Sequence, residues 1–112
     1  MSLETWQEQL RRGGLELAVL LCLAGRARYG LEVIRHLQEG TDLVVTEGTL
    51  YPLMARLTGE GLLTSEWRED QGPHPRKYYT LSARGRQRLE QMSGHWREFT
   101  GKIDRLLEEA KR

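Results

Sequence analysis

Toward the C-terminal end the apolar residues Leu89, Met92, Trp96, Phe99, Ile103, Leu106 and Ala110 alternate in steps of three and four without a break. That spacing is the a/d seam of a coiled coil. A helix carrying it cannot leave the stripe in water, because soluble monomers tolerate only small contiguous apolar patches. The spacing therefore predicts a long last helix, capped by Ser82, whose seam is covered by a second copy of the chain. Leu3, Trp6 and Leu10 form a second stripe near the start and are assigned to the same homodimer interface.

The rest of the chain has material for one domain. With 112 residues, 38% hydrophobic and 29% charged, it can bury a modest core and no more. Its one cysteine, Cys22, excludes an intrachain disulfide and suits the cytoplasm. Arg11 and Arg12 ahead of an apolar run resemble a secretory signal, but Glu16 interrupts the run, which is also too short to span a bilayer. It is read as a core helix, and no membrane partner is expected.

Before the last helix the periodicity changes twice. Leu3, Trp6, Leu10, Leu17, Leu20 or Leu21, and Ala24 mark a first helix that ends at Gly25, with a weak point at Gly13 and Gly14. Leu31, Ile34 and Leu37 mark a short second one, from Tyr29 or Gly30 to Gly40. Thr46 can cap a third helix closed by Gly61, with Glu47 at the positive end of its dipole. On that helix Leu50, Leu53, Met54 and Leu57 share one side; Gly48, Tyr51, Pro52, Ala55 and Arg56 share the other. Pro52 predicts a kink or an irregular first turn. Residues 62–68 and 76–81 read as strands, with Leu63 and Trp67 on one face of the first and Tyr79 and Leu81 on one face of the second. Gly72, Pro73 and Pro75 in segment 69–75 are turn chemistry, so the pair is a hairpin with a long tip.

The fold class that follows is mainly α with a small β-hairpin wing: a winged helix-turn-helix with N-terminal and long C-terminal dimerisation helices. Residues 1–81 form the DNA-binding domain and 82–112 the dimerisation helix, as one structural unit.

A formal net charge of +1 does not by itself argue for nucleic acid, since binding depends on a basic face. Between Gln71 and Leu89, however, the chain carries Arg76, Lys77, Arg84, Arg86 and Arg88 and no acidic residue. Such a patch can release condensed counterions from DNA. For Arg84 to Arg88 the alternative is a solvated charged face. On the third helix the small outer residues permit close approach, Tyr51 suits a phosphate or base contact, and Arg56 suits phosphate or guanine. Tyr51 has the alternative of a packing aromatic. His36, His74 and His95 lie on separate predicted elements without ligand spacing, and no phosphate-binding loop or nucleophile elbow is present. No metal, cofactor or enzymatic activity is expected.

At Thr46-Glu47-Gly48-Thr49-Leu50-Tyr51-Pro52, then Glu60-Gly61-Leu62-Leu63, then Pro75-Arg76-Lys77-Tyr78-Tyr79-Thr80-Leu81, the chain closely resembles the PadR family of transcriptional regulators. Tyr29-Gly30 with Leu31, Glu32 and Ile34 is similar to that family's second helix, and one C-terminal helix of this length resembles its compact subgroup. The resemblance implies a dimer whose third helices enter successive major grooves while the wings contact backbone or minor groove. By motif it places Thr46, Thr49, Tyr51 and Pro52 on the recognition helix and Arg76, Lys77 and Tyr78 on the wing; Tyr29, at the start of the second helix, is counted with them as a DNA-binding residue. The tip departs from the family's usual Gly-Gly-Arg-Pro-like pattern: Gly72-Pro73-His74-Pro75 is stiffer and lacks a permanent charge.

The expected function is sequence-specific binding to a pseudo-palindromic duplex operator, as a ligand-responsive repressor acting by occlusion. The alternative is a winged-helix module that binds protein and not DNA. Trp96, at an a position midway along the last helix, is the candidate wall of a small-molecule site at the dimer centre, with Trp6 nearby. Paired indoles suit a planar aromatic effector, the class to which the family resemblance also points. Plain interface packing is the other reading of Trp96.

Overall fold

The computed structural model describes residues 1–69 and 72–112. Helix α1 (Leu3–Cys22) is followed by strand β1 (Arg28–Tyr29), α2 (Gly30–Thr41), α3 (Glu47–Gly59), β2 (Leu63–Arg68), β3 (Arg76–Leu81) and α4 (Ala83–Ala110). The strands form one antiparallel sheet in the order β1-β3-β2. This is the winged helix expected from the sequence, with a third strand that the sequence did not reveal. At two residues β1 is too short to show a period, yet Arg28 and Tyr29 pair with Tyr79 and Tyr78 and place Tyr29 on the wing.

Each boundary has a local cause. Ser2 accepts from the Thr5 amide and starts α1. The helix runs unbroken through Gly13 and Gly14, where a weak point was expected, and ends at Cys22 rather than at Gly25. There the Arg28 Nε donates to the Cys22 carbonyl at 2.9 Å, satisfying one of the orphan acceptors of a helix C-terminus. The Glu32 carboxylate accepts from the Tyr29 amide at 3.2 Å and closes the start of α2, while its other oxygen meets Arg26 at 2.8 Å. Thr46 caps α3 by accepting from the Thr49 amide. Helix α3 continues through Pro52 without interruption, so the proline costs one backbone bond to Gly48 but does not end the helix.

The core lies between α1, α2, α3 and the inner face of the sheet. Val19, Leu20, Val33, Leu50, Met54, Leu57 and Leu62 are fully enclosed, joined by Leu63, Tyr79 and Leu81 from the hairpin. Burying each large aliphatic side chain contributes roughly 1.5–3 kcal/mol relative to leaving it in water. Helix α4 is anchored at its first turn, where Ser82 accepts from the Gly85 amide, donates its hydroxyl to the Gly61 carbonyl at 2.6 Å and donates its own amide to Leu62. Gly85 lies so close that a Cβ there would overlap the Leu62 carbonyl oxygen.

Two seam assignments change. Leu89 and Met92 are half-buried against the protomer's own core, because the first turns of α4 lie on that core. The stripe left exposed runs through Trp96, Phe99, Ile103 and Leu106, with Leu107 beside it; Leu3, Trp6 and Leu10 on α1 are exposed as well.

Candidate nucleic-acid interface

Helix α3 presents Thr46, Thr49, Tyr51 and Pro52 to solvent, while Leu50, Met54 and Leu57 fix its opposite side in the core. The two threonine hydroxyls bond each other at 3.2 Å, which orients them at the first turn. Tyr51 leans over the start of α2. A Cβ at Gly30 would stand 2.5 Å from its ring and hydroxyl, so only glycine admits this pose. Burial raises the Tyr51 hydroxyl above the ordinary phenol value, and the Glu47 carboxylate adds to the effect. The hydroxyl therefore remains a neutral donor at physiological pH. Tyr79 is shifted upward too, by burial first and by Tyr51 second.

On the wing the cations lie over aromatic rings. The Arg76 guanidinium carbon stands 4.6 Å from the centroid of Tyr29 and its Nη1 donates to the Tyr29 hydroxyl at 3.2 Å. Lys77 Nζ lies 5.7 Å from the centre of Tyr79. Among the described residues neither cation has an ion-pair partner. Held by rings rather than carboxylates, both keep their charge available to an incoming anion. Of the expected tip segment, residues 70 and 71 lie outside the described residues; Gly72, Pro73, His74 and Pro75 are exposed.

Two of the sequence-derived candidates are already engaged within the protomer. Tyr78 is buried, edge-on to Tyr29 with ring centroids 5.4 Å apart and an interplanar angle of 78°, and beneath Arg68 at 4.5 Å. It is the wing's scaffold. Arg56, read as a phosphate or guanine ligand, is taken by Glu16 of α1 at 2.7 Å and Glu60 at 2.9 Å. The hydrogen bond it donates to Glu16 is the main reason its affinity for its proton rises still further. Glu16 lies 40 residues away in sequence, so nothing local announced the pair.

One exposed residue was missed. Trp67 was expected to share an apolar face with Leu63, but it is 67% exposed. The hairpin outruns the core, so the same face that is buried at Leu63 is open at Trp67. Together with Tyr51, Leu31, Pro75, Arg76 and Lys77 it lines a cleft of about 340 Å³ between the wing and the starts of α2 and α3.

The second feature expected from the sequence lies elsewhere. A cleft of about 600 Å³ opens between α1, α2 and α4, walled by Ala18, Leu21, Leu37, Leu43 and Trp96, with Arg97 at its edge. The Trp96 ring rests 3.5 Å from where a Gly14 side chain would start. Trp6 does not line this cleft, so within one protomer the two indoles are not brought to a common site. Among the described residues no group of three or more His, Cys, Asp or Glu could hold a metal ion, and no helix is long and apolar enough to cross a membrane.

Comparison with known proteins agrees with this geometry. Residues 19–91 match the model of the transcriptional regulator PadR-like family. A PadR family transcriptional regulator from Eggerthella lenta is 35% identical, with a TM-score of 0.83 over 95% of this chain and 92% of that one. A PadR-like transcriptional regulator from Bacillus cereus is 28% identical, with a TM-score of 0.81 over 88% of this chain and 96% of its own. A transcriptional regulator from Clostridium thermocellum is 30% identical, with a TM-score of 0.76 over 85% of this chain and 93% of that one.

Proposed function

Because this chain belongs to the PadR-like family of transcriptional regulators, we propose that it is a ligand-responsive repressor, binding a pseudo-palindromic duplex operator as a homodimer and blocking transcription by occlusion. The observation that carries the DNA-binding reading is the cleft that Arg76 and Lys77 of the wing share with Tyr51 of α3, which no carboxylate among the described residues lines. The helix face supplies base-edge contacts and the wing supplies phosphate contacts. Tyr29 acts through Arg76, whose guanidinium it positions.

The homodimer is supported by the two exposed apolar stripes on α1 and α4. Two-fold symmetry then presents the recognition helices to half-sites about one helical turn apart. The effector reading rests on Trp96, an aromatic wall on a largely apolar cleft of a size that suits small ligands. A planar aromatic molecule stacked there would alter how α4 sits on α1, and hence the spacing of the two recognition helices. Trp6 belongs to the dimer interface in this reading and not to the effector site. The buried free thiol of Cys22 fits a cytoplasmic protein.

Binding to a mixed-sequence duplex at a series of salt concentrations tests the proposal. The protein should bind with a negative slope of log K against log salt, and replacing Arg76 and Lys77 with alanine should reduce that slope by about 0.9 for each phosphate no longer neutralised. A slope of zero for the unmodified protein would turn the reading toward a protein-binding winged helix.

A further inference from the structure

We propose that Trp67 is a DNA-contacting residue, and that the cleft between wing and recognition helix seats one operator strand with the indole against deoxyribose and Lys77 and Arg76 on the flanking phosphates. The inference deepens the DNA-binding reading and rests on it.

The argument starts from register. Trp67 pairs with Lys77 across the hairpin, two residues beyond the pair formed by Ser65 and Tyr79. Side chains on a strand alternate, so Leu63, Trp67, Lys77, Tyr79 and Leu81 share one face of the sheet. At Leu63, Tyr79 and Leu81 that face is core. At Trp67 and Lys77 it has left the core and overhangs Tyr51 and Leu31. The hairpin therefore holds its largest side chain in water, on a rigid two-stranded ladder beside the outer face of α3.

The chemistry of the surroundings selects the occupant. The cleft combines apolar surface from Trp67, Leu31 and Pro75 with the cations Arg76 and Lys77 and the Tyr51 hydroxyl, and among the described residues no acidic side chain lines it. Glu66, the nearest carboxylate along β2, does not line the cleft and is held by Arg68 at 2.7 Å. An alternation of apolar ring and anion is what a deoxyribose-phosphate strand offers, and the cleft runs on from the helix face that reads the bases. A protein segment would need acidic residues for the two cations and would gain nothing from this continuity.

The test uses the full chain and a mixed-sequence DNA duplex. Trp67→Ala should weaken binding about ten-fold, the range of an aromatic contact to nucleic acid, while leaving the salt slope unchanged because no charge is removed. Trp67→Phe should retain most of the affinity. Lys77→Ala, by contrast, should lower the slope by about 0.9. Since the chain has three tryptophans, a Trp6→Phe, Trp96→Phe variant leaves Trp67 as the sole indole; saturating duplex should shield its emission from acrylamide. Undiminished affinity in Trp67→Ala, or a Trp67 equally quenched with and without DNA, overturns the assignment. So does a reduced slope in Trp67→Ala, which would mean that the indole only positions Lys77. If the unmodified protein fails to bind duplex at all, the underlying DNA-binding reading falls; if it binds with a cation-dependent slope that Trp67 does not affect, only the present inference falls.

Discussion

Replacing Gly85 with alanine should destabilise the protein, against the usual rule for a helix. Alanine is the better helix former by about 1 kcal/mol, and Gly85 sits in the first turn of α4. Its α-carbon, however, is pressed against the Leu62 backbone: an added methyl would overlap the carbonyl oxygen and stand 3.0 Å from the carbonyl carbon. Backbone cannot rotate aside as a side chain can, so α4 must move. Overpacking of this kind costs typically 1–3 kcal/mol. Moving α4 also stretches the Ser82 amide bond to Leu62 and the Ser82 hydroxyl bond to Gly61, each contributing about 1 kcal/mol. Setting these losses against the gain in propensity leaves a net destabilisation of roughly 2–4 kcal/mol. For a chain of this length that lowers Tm by about 8–16 °C. Thermal melts followed by far-UV circular dichroism, at one protein concentration because self-association would make Tm depend on it, measure the effect. Gly94 and Gly101 on the same helix have open space where a Cβ would stand, so alanine at either should raise Tm by a few degrees. An unchanged or raised Tm for Gly85→Ala would refute the close approach of α4 to Leu62.

Ile103→Glu places a charge in the open stripe of α4, well away from the protomer core, and should shift the protein to a monomer in sedimentation while its far-UV spectrum keeps the winged-helix signal; an intact dimer would remove α4 from the interface. Burial raises the Cys22 thiol above its ordinary value, against a smaller lowering by Arg28. A raised folded-state value means stability is fully present below about pH 9, the unfolded thiol's range, and declines as pH rises through the folded value. Cys22 should accordingly resist a disulfide reagent at pH 8 in the native protein and react promptly in denaturant; equal rates would contradict its burial.

What the sequence disclosed follows from the range of the forces involved. Helices and hairpin were legible because their signals lie within a few residues: Thr46 three positions before Thr49, Ser82 three before Gly85, apolar residues every three or four. The start of α2 was legible for the same reason, since Glu32 reaches back only to Tyr29. Strand β1 was not, because its pairing with β3 spans some 50 residues and two residues carry no period. Trp67 was misjudged by the alternation rule itself. Alternation reports which face a side chain takes, and a face that is core at one end of a hairpin is open at the other.

Arg56 and Tyr78 show a further limit, since the sequence does not disclose that each already has partners within the fold. Each carries the chemistry of a DNA ligand and stands on an element of the proposed DNA-binding surface, so composition and placement alone nominate both. What decides is whether the group is already satisfied. Arg56 spends its guanidinium on Glu16 and Glu60, and a phosphate approaching it would meet two carboxylates as well as one cation. Tyr78 is enclosed by Tyr29 and Arg68. Arg76 and Lys77 are chemically no stronger candidates, but their partners are ring faces, which stabilise a cation without neutralising it. A cation available to DNA is therefore distinguished from a structural one by the sign of its neighbours. Those neighbours come from other elements of the fold: Glu16 reaches Arg56 from α1, and Tyr29 reaches Arg76 from the one strand the sequence did not reveal.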